Sequence, residues 1–289
     1  MCVIVITAPG LKPPITGGSF RKWRFRSHER LRAVSVVALA LTLAGCASAN
    51  NPHSWGQIHW PDGAGFKQAA ARAAKDPITW VPLVGAALLT IGNADNSISD
   101  WAVDKTPLFG SNAADASNTL LDISKAAYFV TALVAPSDSL HDKATGLALG
   151  VGTFALNNSI TQGLKSVVGR ERPNGRDDKS FPSGHASNAS TAATLAVANL
   201  AYIPLPDWAS TGLTIGLYSV AGGAAWARVE AEKHHVVDSL VGYSLGHFVA
   251  RFMQEAFFEA GVENLAITFT PMAEGGAVTL RMPLRASRE

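Results

Sequence analysis

Three short clusters between Lys165 and Asp238 decide how the rest of the chain is interpreted. They are Lys165-Ser-Val-Val-Gly-Arg-Glu-Arg172-Pro173, then Pro182-Ser183-Gly184-His185, and then Arg228-Val-Glu-Ala-Glu-Lys-His234-His-Val-Val-Asp238. Together they supply three cations, two imidazoles and a carboxylate, and Ser-Gly can add backbone N–H groups at the start of a helix. This set suits a phosphoryl group, because cations and N–H donors hold its oxygens while imidazoles attack phosphorus or protonate a leaving oxygen.

The order and spacing of the clusters resemble a known family. Lys-x6-Arg-Pro, Pro-Ser-Gly-His and Ser-Arg-x5-His-x3-Asp mark the type 2 phosphatidic acid phosphatases, and the same signature occurs in class A acid phosphatases and vanadium-dependent haloperoxidases. The resemblance covers roughly residues 78–256. One position departs from the pattern: Ala227 stands where the third motif normally has serine, so one hydroxyl is lost and the guanidinium of Arg228 is kept.

His234 and Asp238 are assigned to the chemical step. They lie four residues apart, which on a helix places both side chains on one face. A carboxylate bound to one ring nitrogen would fix the tautomer and leave the other nitrogen to attack phosphorus. The resemblance implies that His234 is this nucleophile and forms a phosphohistidine. The neighbouring His235 does not have the required spacing from Arg228.

His185 opens the next predicted helix. A helix N-terminus has unpaired N–H groups and the positive end of the helix dipole, so Ser183 and Gly184 are predicted to bring donors to a phosphate oxygen. His185 is predicted to protonate the leaving oxygen and afterwards to deprotonate the water that cleaves the phosphohistidine. The alternative role of His185 is helix capping.

Lys165, Arg172 and Arg228 are the cations predicted to bind phosphate. Arginine can grip two oxygens at once, and the charge that builds up in phosphoryl transfer spreads over three equatorial oxygens. Arg170 and Arg176 lie nearby and are interpreted as solvated loop charges. No carboxylate cluster has the spacing to hold two cations, so no metal and no cofactor is predicted, and vanadate is expected to bind as a phosphate mimic.

The charge distribution argues against a nucleic-acid partner. The chain of 289 residues has a formal charge of +2, but seven of its 24 Lys and Arg and one of its 22 acidic residues lie within residues 1–45. The remainder therefore carries a charge of about −4, which does not support a basic nucleic-acid surface. The length suits one domain with appendages.

The N-terminus has the composition of an export signal. Residues 21–32 include six basic side chains, and the apolar run at 33–44 is too short to cross a membrane as a helix. Leu43-Ala44-Gly45-Cys46 resembles the bacterial lipobox, so Cys46 is the predicted lipidation site and membrane anchor. The alternative is an ordinary signal peptide with a chance cysteine. Ala47 after the cysteine resembles the outer-membrane pattern of lipoproteins.

Six apolar segments predict an all-α protein, because each is long enough for a helix and poor in strand alternation. The segments are about 78–92, 118–135, 143–164, 186–203, 208–227 and 235–256. A short Ala-rich helix is predicted at 67–75, and the polar stretch 95–100 is interpreted as a plain loop rather than a calcium loop. The predicted fold is a six-helix bundle of the phosphatidic acid phosphatase and haloperoxidase type.

In the C-terminal tail, the hydrophobic pattern has the period of a strand and not that of a helix. Apolar and polar residues alternate on either side of Glu274-Gly275-Gly276, which predicts a small β-hairpin with Ile267, Phe269, Val278, Leu280 and Met282 on one face. A frayed tail is the alternative.

The predicted organisation is a lipoprotein signal peptide at 1–45, a linker and short helix at 46–77, a helical phosphatase domain at 78–260 and the hairpin tail at 262–285.

The predicted function is a metal-independent phosphohydrolase acting on lipid phosphates or diphosphates in the periplasm. The alternatives are a broad-specificity acid phosphatase on soluble phosphomonoesters, a vanadium haloperoxidase and a catalytically silent lipoprotein. Selectivity is assigned to helices 78–92 and 118–135 and to loop 93–117, where Trp101, Pro107, Leu108 and Phe109 are apolar. The predicted location is lipid-anchored at the outer membrane, facing the periplasm. Integration into the inner membrane is the alternative, because residues 208–227 carry no charge.

Overall fold

The computed structural model describes residues 54–258, except Asn93 and Thr106, together with the backbone of two strands in the tail. The predicted signal peptide and Cys46 lie outside the described residues. The helices of residues 54–258 and the two tail strands form separate compact units.

Residues 54–258 contain eight α-helices and one short 3₁₀ helix. The α-helices are α1 (Gly63–Lys75), α2 (Pro77–Ile91), α3 (Asp95–Asp104), α4 (Ala113–Val134), α5 (Leu140–Val168), α6 (Gly184–Leu200), α7 (Asp207–Glu230) and α8 (Val236–Phe257), and the 3₁₀ helix is Gly110–Asn112. A mostly helical fold is therefore confirmed. The six apolar segments correspond to α2 and α4–α8, and the predicted Ala-rich helix corresponds to α1.

Helix α6 forms the buried centre of this unit. Of its 17 residues, 13 are buried, and most of these are Ala, Ser or Thr, so neighbouring helices approach it closely. Helix α8 makes the tightest approach: a Cβ at Gly242 would lie 2.4 Å from the Ser183 carbonyl oxygen, and one at Gly246 would lie 2.0 Å from that of Ser187. Glycine is required at both positions. As a result, the first turn of α8 lies against the N-terminus of α6, where the Ser183 N–H donates to the Asp238 carbonyl at 2.9 Å.

Helix α3 occupies the stretch 95–100 that was predicted to be a loop, and that prediction is wrong. The helix buries Asp95, Ser99 and Ala102, although it has few apolar residues. Two of its side chains accept hydrogen bonds from the start of α8: the Val237 N–H donates to Asp95 Oδ1 at 2.9 Å, and the Val236 N–H donates to Ser99 Oγ at 3.1 Å. Helix α3 is thus stabilised by tertiary hydrogen bonds that its own hydrophobic pattern does not encode. With α3, the helices among residues 54–258 number eight, so the predicted count of six is not confirmed.

The described part of the predicted linker includes a core residue. Trp55 is almost fully buried, and its indole N–H donates to Asn199 Oδ1 on α6 at 2.8 Å. The Trp55 N–H in turn donates to the carbonyl of Pro136 at 2.9 Å. Because these bonds connect residue 55 to both α6 and the α4–α5 connection, the chain is fixed to the helices well before α2 begins.

The tail contains two antiparallel strands, β1 (Ala266–Met272) and β2 (Gly275–Arg281). Ile267 lies opposite Leu280, and Phe269 lies opposite Val278. Directly opposed residues project to the same face of a pair of strands, as the alternation in the sequence predicts. Their side chains lie outside the described residues, so the packing of this apolar face stays a prediction.

Large apolar side chains are exposed on several helices of the first unit. They include Leu88 and Ile91 on α2, Leu133 on α4, Val167 on α5 and Trp208 on α7. Extended apolar surface of this kind marks contacts with membranes or partner proteins. No single helix within residues 54–258 is both long and apolar enough to cross a membrane. The bent pair of α2 and α3 meets the length and composition requirements only when the two helices are joined.

Candidate active site

The structure brings the three sequence clusters together. Lys165 lies in the last turn of α5, Arg228 lies in the last turn of α7, and Ser183 is the N-cap of α6. His234 lies in the turn between α7 and α8. The positive charges of Lys165, Arg228 and Arg172 all help to lower the pKa of His234. Arg172 Nη1 also donates to the carbonyl of Lys233, the residue before His234, at 3.3 Å.

The His234 ring is buried and held by a backbone oxygen. Its Nδ1 lies 2.6 Å from the Ser180 carbonyl, which can only accept a hydrogen bond, so Nδ1 carries the proton. Burial, followed by the three surrounding cations, lowers the pKa of His234 well below its ordinary value of 6.5. The neutral ring therefore has its lone pair on Nε2, which is the form that a nucleophile requires.

The predicted contact between Asp238 and the His234 ring is replaced by a different arrangement. Helix α8 begins at Val236, so His234 precedes the helix and the four-residue spacing does not place the two side chains on one helical face. The fully buried Asp238 carboxylate instead accepts from Ser180 Oγ at 2.5 Å and from the His235 N–H at 2.9 Å. Asp238 thus acts through Ser180, whose own carbonyl holds His234.

Arg170 is part of this arrangement, and its interpretation as a solvated loop charge is wrong. Its guanidinium donates through Nη1 to Asp238 Oδ1 at 2.7 Å and through Nη2 to Asp95 Oδ2 at 2.6 Å. Arg170 therefore connects the start of α3 to the start of α8, directly behind the residues that hold His234. Sequence reasoning missed Arg170, Ser180 and Asp95. The only feature of the sequence that could have identified Arg170 was its position inside the first cluster.

We expect Arg170→Gln to lower the free energy of unfolding by about 3 kcal/mol, because it leaves two carboxylates without their cation and one of them is fully buried. Urea unfolding of the purified protein measures this loss. Arg176→Gln is the matched control, because Arg176 is exposed in the same loop and its loss should change the stability by less than about 0.5 kcal/mol. Equal midpoints for the two variants would contradict the assigned role of Arg170.

The three predicted phosphate-binding cations differ in their environments. Lys165 is buried, and its Nζ donates to the Lys179 carbonyl at 2.6 Å. Arg172 is held by Asp177, which accepts from its Nε at 2.5 Å. Arg228 is buried, and its Nε has no hydrogen-bond partner within the described residues. Burial and the charge of Arg172 lower the pKa of Arg228 to about 10, and among the residues that the structure describes no carboxylate forms a salt bridge with it.

The pH dependence of kcat/KM should show the titration of Lys165. Burial, followed by the charge of Arg172, lowers the pKa of Lys165 to about 8. The lysine is charged below that pH and neutral above it, so phosphate affinity and kcat/KM should fall as the pH rises through about 8. Lys165→Met should lower kcat/KM at neutral pH and remove this descending limb. A limb that persists unchanged in the variant would show that another group titrates there.

The N-terminus of α6 carries the second cluster. Ser183 Oγ accepts from the Ala186 N–H at 3.4 Å, so the helix is capped by Ser183 and not by His185, whose alternative role was capping. His185 Nε2 lies 2.9 Å from Asn118 Oδ1 on α4, a partner that no spacing in the sequence indicated. Burial, followed by the charge of Arg228, lowers the pKa of His185 to about 4. An anion bound beside His185 would raise this value towards the range of a general acid.

Three residues near the site have other roles. His235 is the N-cap of α8 and donates its backbone N–H to Asp238. Arg176 is exposed, in agreement with its interpretation as a loop charge. Ala227 is fully buried in the last turn of α7, so the methyl group that replaces the serine hydroxyl of the family pattern has no access to solvent.

A cleft of ≈ 570 Å³ lies beside Arg172, between α3, the loop after α5 and the turn between α7 and α8. Its lining is polar and includes Asp100, Asp104, Glu171 and Glu232. Within the described residues no three His, Cys, Asp or Glu side chains are placed to hold a metal ion. Metal independence stays a prediction.

Comparison with known families identifies the chain as a phosphatase-type hydrolase. Residues 146–261 match the family model of the PAP2 superfamily, which confirms the resemblance given by the three motifs. A solved structure with a similar fold is the transmembrane PAP2-type phosphatidylglycerolphosphate phosphatase from Bacillus subtilis. It is 22% identical, the alignment covers 61% of this chain and 92% of that one, and the TM-score is 0.47. No curated protein sequence matches the chain significantly.

Proposed function

We propose that this chain hydrolyses phosphate esters through a covalent phosphohistidine at His234, without a metal ion. The observation that carries the proposal is the buried neutral ring of His234, whose Nδ1–H is held by the Ser180 carbonyl. That contact directs the Nε2 lone pair to the reaction, and the charges of Lys165, Arg172 and Arg228 act on the same ring. A phosphoryl group placed among them would meet a nucleophile and three cations at once.

The proposed reaction has two displacements at phosphorus. In the first, His234 Nε2 attacks phosphorus, the bond from phosphorus to the leaving oxygen breaks, and His185 gives that oxygen a proton. In the second, His185 takes a proton from water, the resulting hydroxide attacks phosphorus, and the bond to Nε2 breaks to release phosphate. Throughout both steps, the three cations and the backbone N–H group of Gly184 would hold the oxygens that do not react. The Ser183 N–H, which the sequence also offered for this role, already donates to the Asp238 carbonyl.

The experiment that tests this function compares phosphate release with halide oxidation, each with and without vanadate. A phosphohydrolase releases phosphate, oxidises no halide and is inhibited by vanadate, because vanadate occupies the phosphate position. Halide oxidation that depends on vanadate would establish the haloperoxidase alternative.

We also propose that the six longer helices, α2 and α4–α8, form the bundle typical of phosphatidic acid phosphatases and haloperoxidases.

Lipid phosphates or diphosphates are the proposed substrates. The exposed apolar side chains of α2, α4 and α5 support this choice, because they suit an enzyme that works against a lipid surface. The polar cleft beside Arg172 favours a second candidate, hydrolysis of small soluble phosphomonoesters. Comparing kcat/KM for a detergent-dispersed lipid phosphate with that for a nucleotide monophosphate decides between them. A nucleotide preference of about tenfold or more would favour the acid-phosphatase alternative.

The proposed location is the periplasmic face of the outer membrane, with attachment through lipid on Cys46. The lipobox-like sequence before Cys46 supports this anchor, and the competing arrangement is integration of the helices into the inner membrane. Cys46→Ser should release the protein from membranes if the lipid is its only attachment. Retention of the variant in the membrane pellet after an alkaline wash would establish the competing arrangement.

A further inference from the structure

Glu230, at the end of α7, holds the loop that precedes α4. Its carboxylate accepts three consecutive backbone N–H groups: Leu108 at 2.9 Å, Phe109 at 2.8 Å and Gly110 at 3.1 Å. Glu230 is only 6% exposed. One ionised carboxylate has about four acceptor positions, so a single side chain can satisfy all three donors of this loop. The amide of glutamine cannot, because one of its two terminal groups is itself a donor.

The loop has an inward and an outward side chain. Phe109 faces α7, since its ring lies 4.0 Å from where a Cβ at Gly223 would be. Leu108 points the other way and is 77% exposed, although its backbone is fixed. An exposed apolar side chain on a fixed backbone is suited to contact a ligand, because the backbone does not have to be ordered on binding.

The loop 108–110 is linked along the chain and through Glu230 to two residues that act on His185. Its anchor Glu230 lies two residues after Arg228, whose charge acts on His185. From Gly110 the chain continues into α4, which carries Asn118, the hydrogen-bond partner of His185. In the proposed reaction His185 protonates the leaving oxygen. The loop 108–110 therefore leads directly into the helix that contacts the proposed proton donor.

We propose that Glu230 is a positioning residue and that Leu108 is a specificity-determining residue for an apolar leaving group. Glu230 fixes the loop 108–110 beside Arg228, and Leu108 contacts the hydrocarbon portion of a lipid phosphate. Trp101 was predicted to lie in the same loop, but it lies on α3. This inference rests on the proposed function and names the residue that would select for the chain of the substrate.

The test uses phosphatidate dispersed in detergent and glycerol 3-phosphate, which share a phosphate ester and differ in their acyl chains. Glu230→Gln should lower the ratio of kcat/KM for phosphatidate to that for glycerol 3-phosphate by about tenfold, mainly through KM for phosphatidate. Asp207→Asn is the control, because Asp207 is an exposed carboxylate at the other end of α7 and outside the cleft beside Arg172, and it should leave the ratio unchanged. A general loss of structure would instead lower both rates together.

Leu108→Ser keeps the backbone N–H that Glu230 accepts and removes only the apolar contact, so it decides the question even if Glu230→Gln folds poorly. It should lower the same ratio by about tenfold, whereas Leu140→Ser, at another exposed leucine, should not. An unchanged ratio in Leu108→Ser would overturn the inference. The proposed function would fail separately, through a wild-type protein that releases no phosphate from either ester.

Discussion

Alanine at position 234 should reduce phosphate release by at least about 1,000-fold, because it removes the atom that attacks phosphorus. Two features of the structure support Nε2 of His234 as the attacking atom. The Ser180 carbonyl holds the proton of the His234 ring on Nδ1, and burial among cations keeps the ring neutral. The two other histidines of the clusters have different partners, because His185 contacts Asn118 and His235 is the N-cap of α8.

The matched control is His235→Ala, which should keep most of the activity. Both variants should melt near the temperature of the wild type, so that a loss of rate is not a loss of fold. A second measurement looks for the covalent intermediate directly. Wild-type protein quenched in alkali during turnover of ³²P-labelled substrate should carry label, whereas the His234→Ala protein should carry none. Full activity in the His234 variant, or label that remains on it, would end the assignment of this nucleophile.

The three clusters could be predicted from the sequence because each is local. Gly184 and His185 follow a capping serine, and the helix that they open is recognisable from the apolar residues after it. The long helices were likewise recognisable, since a segment apolar nearly all round must be buried or face an apolar phase. In both cases the information needed lies within a few turns of a single chain segment.

Helix α3 could not be predicted in this way. Its residues Asp95 and Ser99 accept hydrogen bonds from the backbone of Val237 and Val236, which are more than 130 positions away. The helix therefore depends on partners that only the folded chain supplies, and a polar stretch with weak periodicity is normally a loop. The same long-range pairing explains why Asp95, at the start of this stretch, is a structural residue.

The contacts of Asp238 could not be predicted from the sequence for a related reason. The argument for a contact between His234 and Asp238 assumed that a helix includes both, but α8 begins after His234. Spacing identifies which residues matter and does not show whether a helix or a turn connects them. Ser180 and Arg170 then become the partners of Asp238, although a sequence presents them as an ordinary loop serine and a spare arginine.

Arg228→Met should have opposite effects on activity and stability. The guanidinium is 8% exposed and its Nε has no hydrogen-bond partner within the described residues, while the charges of Arg228 and Arg172 repel each other. A buried cation without a counter-charge costs free energy in the folded state. A phosphoryl group supplies that counter-charge. The variant should therefore lose about 2–4 kcal/mol of transition-state stabilisation, which is roughly 30- to 1,000-fold in kcat/KM.

The melting temperature of Arg228→Met, measured without ligand, should be equal to that of the wild type or higher. Arg176→Met is the control, because it removes a solvated charge from the neighbouring loop and should change neither quantity appreciably. The pH dependence adds a third readout. The charge of Arg228 lowers the pKa values of Lys165 and His185, so its removal should move the descending limb of kcat/KM to a pH above about 8. A variant that loses activity and melts at a lower temperature would show that Arg228 stabilises the fold, and a variant that keeps its activity would show that another cation binds the phosphoryl group.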